Sequence, residues 1–358
     1  MKIKLTEICT PKQWRTIPTN ELLREGFPVY GANGIIGYYK EYNHENPVVT
    51  ITCRGATCGT VNITVPKSYI TGNAMCLDNI RSDILLKYLY YCLLHYDFNK
   101  VISGSAQPQI TKQGLEKIEI EIFSTEDQKK IISTLDKIRA VIIFRQQQLQ
   151  KLDELVKARF VEMFNNANSP MKTIEELCSY IVDCPHTTPK YEGVLRNPAI
   201  RTSEIKRGYI VWDTMKYVSD EEYLQRTARL IPKVGDIVYG REGTFGNAAI
   251  LPEGYNFCLG QRVMLLRPDY SKCTSEYLLY AVISDDVYRQ AAEKNNASTV
   301  AHVNVKDVKK FRVPLPSIYK QNEFAAFVMQ VDKSKAAIQK ALDEAQLLFD
   351  SLMQKYFG

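Results

Sequence analysis

The chain has 358 residues, of which 45% are apolar and 24% charged, a balance that supports a buried core and excludes a disordered polymer, and its length suggests two or three domains. The net charge is only +6 with no basic tail, so charge permits nucleic acid as a partner without demanding it. The start, MKIKLTEICTPKQW, lacks the apolar segment of a secretory signal, no run approaches the roughly 18 apolar residues of a membrane span, and the nine cysteines include no CxxC pair and stand beside only four scattered histidines; the expectation is a cytoplasmic chain with free thiols, no membrane and no metal.

Residues 1–125 read as a mixed α/β unit. PVYGANGIIGYY (28–39) is rich in Gly, Asn and Tyr, PVVTITC (47–53) reads as a strand, and DILLKYLYYCLLHY (83–96) as a helix. A helix is expected over 126–164, which holds neither Gly nor Pro, and the linker NNANSP (165–170) ends it at Pro170. Residues 171–318 form a second mixed unit, with GDIVYG (235–240) as a strand and SEYLLYAVISDDVYRQ (275–290) as a helix; a last helix is expected over 319–358.

The two halves read as weak copies. GSAQPQITKQGLEKIEIEIF (104–123) matches ASTVAHVNVKDVKKFRVPLP (297–316), CRGATCG (53–59) faces GREGTFG (240–246), and KLTEIC (4–9) resembles TIEELC (173–178), all in one order. The helices repeat too. Steps of four and three from Ile131 to Met163 are apolar at eight of ten positions, and the stripe from Phe324 to Tyr356 is apolar at nine of ten. Such stripes need partners, and the obvious partner of each is the other, as an antiparallel coiled coil. Leu135, Ile138, Ile142, Leu149, Leu152, Val328, Val331, Ile338, Leu342 and Phe349 are expected to pair. The fold class is therefore α+β, with two pseudo-two-fold related units, each followed by a long helix.

Arg54 and Arg241 lie in glycine-flanked loops directly after strands, facing each other in the alignment of the copies. Glycine lets backbone approach a ligand, and the guanidinium fork fits phosphate or the O6/N7 edge of guanine. Asn33, Thr57, Asn73, Gln107 and Gln109 in the first half, and His186, Thr187, Arg201, Thr202, Glu242, Thr244 and Arg262 in the second, complete the polar loop residues expected to touch DNA. No phosphate-cradling, dinucleotide, HExxH or GxSxG motif occurs. Asp183, Cys184 and His186 sit on one loop, which leaves open a nucleophilic enzyme there, although adjacent residues rarely present catalytic geometry to each other.

In these features the whole chain resembles the specificity subunit of type I restriction–modification enzymes. SAQPQITKQGLEKIEIEIF and STVAHVNVKDVKKFRVPLP look like that family's approach to its helices, and QKKIISTLDKI (128–138) and residues 321–358 look like its central and C-terminal helical regions. The resemblance implies two target-recognition domains, no catalysis by this chain, and a bipartite duplex DNA target with one half-site per domain. It also implies two modification subunits using S-adenosylmethionine, and restriction subunits using ATP and Mg. A protein-binding coiled-coil scaffold and a stand-alone enzyme remain the alternatives.

Overall fold

The computed structural model of the chain describes residues 2–32, 34–104, 107–165, 169–192, 196–243, 246–294 and 302–358. They form two compact units: residues 1–147 with 339–358, and residues 148–338. The central helix runs Thr125–Phe164 and the C-terminal helix Ile318–Phe357, so each unit holds one globular half and part of both helices. Among the described residues no helix is long and apolar enough to cross a membrane.

In the first unit the strands are β1 (Thr10–Gln13), β2 (Phe27–Gly31), β3 (Gly34–Tyr39), β4 (Val49–Thr52), β5 (Val61–Ile63), β6 (Tyr69–Ile70) and β7 (Ala74–Asp78). An antiparallel sheet has the order β1-β7-β4-β5, and a second sheet β3-β2-β6. The β-branched run VTIT of β4 is buried on both faces, as suits a central strand.

The second unit repeats this plan with β8 (Cys178–Asp183), β9 (Tyr191–Glu192), β10 (Asn197–Ile200), β11 (Tyr217–Val218), β12 (Ile237–Gly240), β13 (Ala248–Ile250), β14 (Cys258–Leu259) and β15 (Val263–Pro268). Its sheets run β8-β15-β12-β13 and β9-β11-β10-β14. In both units the second sheet contains one parallel pair, β2 with β6 and β10 with β14.

The repetition extends to single hydrogen bonds. Gln128 is fully buried; its Nε2 donates to the carbonyls of Asp83 (2.9 Å) and Phe123 (3.0 Å), and its Oε1 accepts from Leu85 N–H (2.9 Å). Gln321, equally buried, donates to Lys272 O (3.1 Å) and Pro316 O (3.0 Å) and accepts from Thr274 N–H (3.0 Å). Leu85 and Thr274 are the N-caps of helices Leu86–His95 and Ser275–Val282. From those helices the buried Tyr88 donates to Glu121 O (2.6 Å) and the buried Tyr277 to Pro314 O. Each long helix is thereby locked to the helix of its own globular half.

All ten positions of each apolar stripe are buried or partly buried. Within the first unit the early part of the central helix shares a core with the late part of the C-terminal helix: Ile131 and Leu135 with Phe349, Leu352 and Met353. In the second the late part meets the early part, through Leu152 and Val156 with Phe324, Val328 and Val331. That is the antiparallel sense. Of the residues expected to pair, Leu135, Ile142, Val328 and Val331 are buried, and Ile138, Leu149, Leu152, Ile338, Leu342 and Phe349 partly so. The stripes also cover the globular cores. Phe164 meets Tyr277 edge-on at 5.1 Å and Phe357 meets Tyr88 at 5.7 Å, contacts outside the heptad frame because the last turn of each helix packs on a globular half.

Removing a glutamine clamp should unfold its own unit first. Orphaned buried groups cost about 1–3 kcal/mol each and water can refill part of the gap, so Gln128→Ala should cost the first unit about 2–4 kcal/mol. Trp14 and Trp212 are the chain's two tryptophans, one per unit. In urea, the fluorescence transition of Trp14 should move while that of Trp212 stays; Gln321→Ala should do the reverse.

Candidate nucleic-acid interface

In the first unit three loops meet where β4 ends. Ile110 N–H donates to Cys53 O (3.0 Å), Gly55 N–H to Pro108 O (3.3 Å), and Arg54 pairs with Gln109 in an antiparallel bridge. Thr52 Oγ1 and Thr57 Oγ1 both donate to Ala32 O (2.8 and 3.2 Å), which ties in the β2–β3 turn. Asn73 is half-buried, its carbonyl accepting from Cys53 N–H (3.1 Å) and Cys53 Sγ (3.2 Å). Arg54, Thr57, Gln107 and Gln109 are exposed on this cluster, and Arg54 enters no ion pair among the described residues. Asn33 lies outside the described residues.

The second unit gathers the matching loops where β12 ends. Arg241 N–H donates to Arg262 O (2.9 Å), Val303 N–H to Arg241 O (2.9 Å), and Glu242 bridges His302. These bonds correct the alignment read from the sequence. The residue that bonds as Cys53 does is Arg241, and the one that bonds as Arg54 does is Glu242. Gly55 (φ +85°) and Gly243 (φ +71°) then coincide, each in the left-handed conformation that glycine adopts without strain. The two loops differ in length by one residue before Gly59 and Gly246 (φ +93° and +84°), so the sequence frame slips by one.

The slip changes the meaning of Arg241. It stands at a strand-end position whose side chain points inward; it is 4% exposed and pairs with Asp183 at 2.7 Å. One arm of its buried fork donates to a carboxylate and the side chain is not presented at the surface, so the paired-arginine reading does not hold. Glu242 instead pairs with Arg262 (3.0 Å) and His302 (3.1 Å). Arg262 is 60% exposed and takes φ +65°, a conformation uncommon for non-glycine residues. Thr244 lies outside the described residues.

Arg201 donates through Nε to Glu204 Oε2 (3.0 Å) and lies over Tyr191. Glu204 is fully buried, and its hydrogen bonds push the Arg201 guanidinium further up. Arg201 and the half-buried Thr202 thus build a 3-10 turn. His186 and Thr187 are exposed. Their loop is pinned by Arg226, which sequence reasoning missed: buried at 7% exposure, it donates to the carbonyls of Leu259 (2.9 Å), Gly260 (3.2 Å) and Thr187 (3.3 Å).

The 183–186 loop does not assemble a nucleophile. Cys184 is buried in an apolar cluster with Ile200, Val238 and Leu265, while His186 faces out and meets Asp183 at 3.4 Å.

A duplicated α+β unit whose loops cluster at equivalent strand ends and whose halves are each locked to a long helix defines a class of binding chains. Residues 1–154 and 173–346 match the family described as type I restriction modification DNA specificity domain, and the chain belongs to that family. It is a non-catalytic specificity subunit. The EcoprrI specificity subunit of Escherichia coli is 32% identical over 111 residues, 31% of this chain and 27% of that one. The putative specificity subunit S.HindORF215P of Haemophilus influenzae is 21% identical over 342 residues, 92% of this chain and 85% of that one. The crystal structure of the S subunit of a type I restriction–modification system from M. genitalium shares the fold over 100% of this chain and 96% of that one, with a TM-score of 0.60 and 15% identity.

Arg54 and Arg241 should respond in opposite ways. Arg54→Ala should change stability by less than about 0.5 kcal/mol, as exposed positions do. Arg241→Ala removes the buried partner of Asp183 and leaves it His186 at 3.4 Å; with that carboxylate partly exposed the cost should be about 2–3 kcal/mol. Denaturant titration of both variants distinguishes the roles.

Proposed function

We propose that each unit reads one half of a bipartite duplex DNA site through its loop cluster, and that the chain holds two modification subunits and, through them, the restriction subunits of a type I system. The observation that carries this reading is the pair of equivalent loop clusters bearing unlike side chains. Arg54, Gln107 and Gln109 offer donors and amides suited to guanine and adenine edges. Arg262, Glu242, His186 and Thr187 offer a different set, so the two half-sites differ and the target is not a palindrome. The chain binds no cofactor of its own in this reading; S-adenosylmethionine, ATP and Mg belong to the partner subunits. The assembly works in the cytoplasm, where the DNA is.

Arg54→Ala should weaken binding of the assembled complex to its target by about 1–3 kcal/mol if the fork reads a base. If it meets only phosphate, non-specific binding should fall too and the salt slope should drop by about one. Arg262→Ala should act on the other half-site alone. Transplanting residues 171–318 into a relative should exchange one half-site and leave the other, read by sequencing genomic methylation. Normal binding by both arginine variants, or a transplant that alters both half-sites together, would overturn the reading. An assembled complex that retains no duplex DNA would leave the chain a protein scaffold.

A further inference from the structure

The first unit contains a cluster that DNA reading does not use. Ligand atoms of His44, Cys76 and Asp78 lie within 4.8 Å of one another. Cys76 and Asp78 are two apart on β7 and so project to one face. His44 comes from the loop before β4, held by two backbone hydrogen bonds to Ser68, each 3.0 Å. Cys76 is fully buried, and the side chains of His44 and Asp78 are only 12% and 14% exposed.

Hydrogen bonding fixes how the histidine presents itself. Asn43 Nδ2 donates to Ile70 O (3.0 Å) and its Oδ1 accepts from Ile70 N–H (2.9 Å), which settles the orientation of the amide. That Oδ1 lies 2.7 Å from His44 Nδ1, so Nδ1 carries the hydrogen. Nε2 then faces Asp78 Oδ1 at 3.0 Å, while Asp78 Oδ2 accepts from Trp14 Nε1 at 3.2 Å. A neutral imidazole would set its lone pair against a carboxylate oxygen. Positive charge must lie between them, either a second proton or a metal cation. The cysteine beside them favours the metal, because nitrogen, sulfur and oxygen donors together form a transition-metal set. Asn43 and Trp14 supply the outer hydrogen bonds that orient ligating histidine and carboxylate.

We propose that His44 Nε2, Cys76 Sγ and an Asp78 carboxylate oxygen bind a zinc ion, with water as the fourth ligand, and so tie the His44 loop to β7. Tetrahedral zinc sets its donors about 3.5 Å apart, so donors up to 4.8 Å apart need to draw in by at most about 1.3 Å, while His44 Nε2 and Asp78 Oδ1, now 3.0 Å apart, open slightly. No local pattern announces this site, because its ligands follow no zinc-finger spacing and His44 stands 32 residues before Cys76.

The test uses the metal-stripped full chain, titrated with zinc and separately with cobalt(II). One zinc per chain should survive gel filtration, and cobalt should give the absorption of a tetrahedral thiolate site. Cys76→Ser, nearly isosteric, should abolish the thiolate-to-cobalt band while circular dichroism stays native. Asn43→Ala keeps all three donors and should weaken zinc binding about 10- to 100-fold. A wild-type chain that takes up no zinc would overturn the proposal and leave His44 simply hydrogen-bonded to Asp78. A thiolate band that persists in Cys76→Ser would assign the metal to another cysteine and overturn it equally.

Discussion

A forty-residue helix with a single apolar stripe is unstable in water until something covers that stripe, and the organisation of this chain follows from that constraint. Cover comes from two sources in each unit: the other long helix, and the helix of the globular half. Apolar contact is non-directional and could be satisfied by several rotations or slides of the long helix. The buried glutamines remove that freedom, because their three hydrogen bonds form at one setting only. Gln128 reaches backbone on both sides of the joint, and Gln321 does so in the other copy. Tyr88 and Tyr277 add a second fixed point from the opposing helix.

With the joints fixed, the strand ends carry the variable surface. The bonds that gather the loops are almost all between backbone groups: Cys53 with Asn73 and Ile110, Arg241 with Arg262 and Val303. The exposed Arg54 side chain enters no ion pair among the described residues, whereas Arg241 at the strand end is buried against Asp183. The inward position holds a cysteine in one copy and an arginine in the other, and the arginine takes a carboxylate partner, Asp183, that the cysteine does not need.

Much of the frame was legible in the sequence because it is periodic. The stripes repeat every seven residues, and the order of strand, loop and helix recurs at a nearly constant spacing. The loop register was not legible, since loops of six and seven residues align equally well on their glycines and only the hydrogen bonds choose between them. The burial of Arg241 depends on Asp183, and the role of Arg226 on carbonyls of residues 187, 259 and 260; no local pattern announces such distant pairs. Phe160 and Phe164 lie partly outside the heptad frame, so periodicity could not mark the end of the helix as part of a globular core.

The equivalence of Arg54 and Glu242 carries a consequence for how such a chain changes over generations. The same backbone position, one residue before a left-handed glycine, presents a cation in one copy and an anion in the other. At Arg54 the side chain is exposed and enters no ion pair among the described residues, so its charge can change without disturbing packing, whereas a change at Glu242 breaks its pairs with Arg262 and His302. One residue earlier, replacing Arg241 removes the buried partner of Asp183 and costs stability unless Asp183 changes too. The scaffold thus tolerates change most readily at an exposed tip such as Arg54 and least at a strand end such as Arg241.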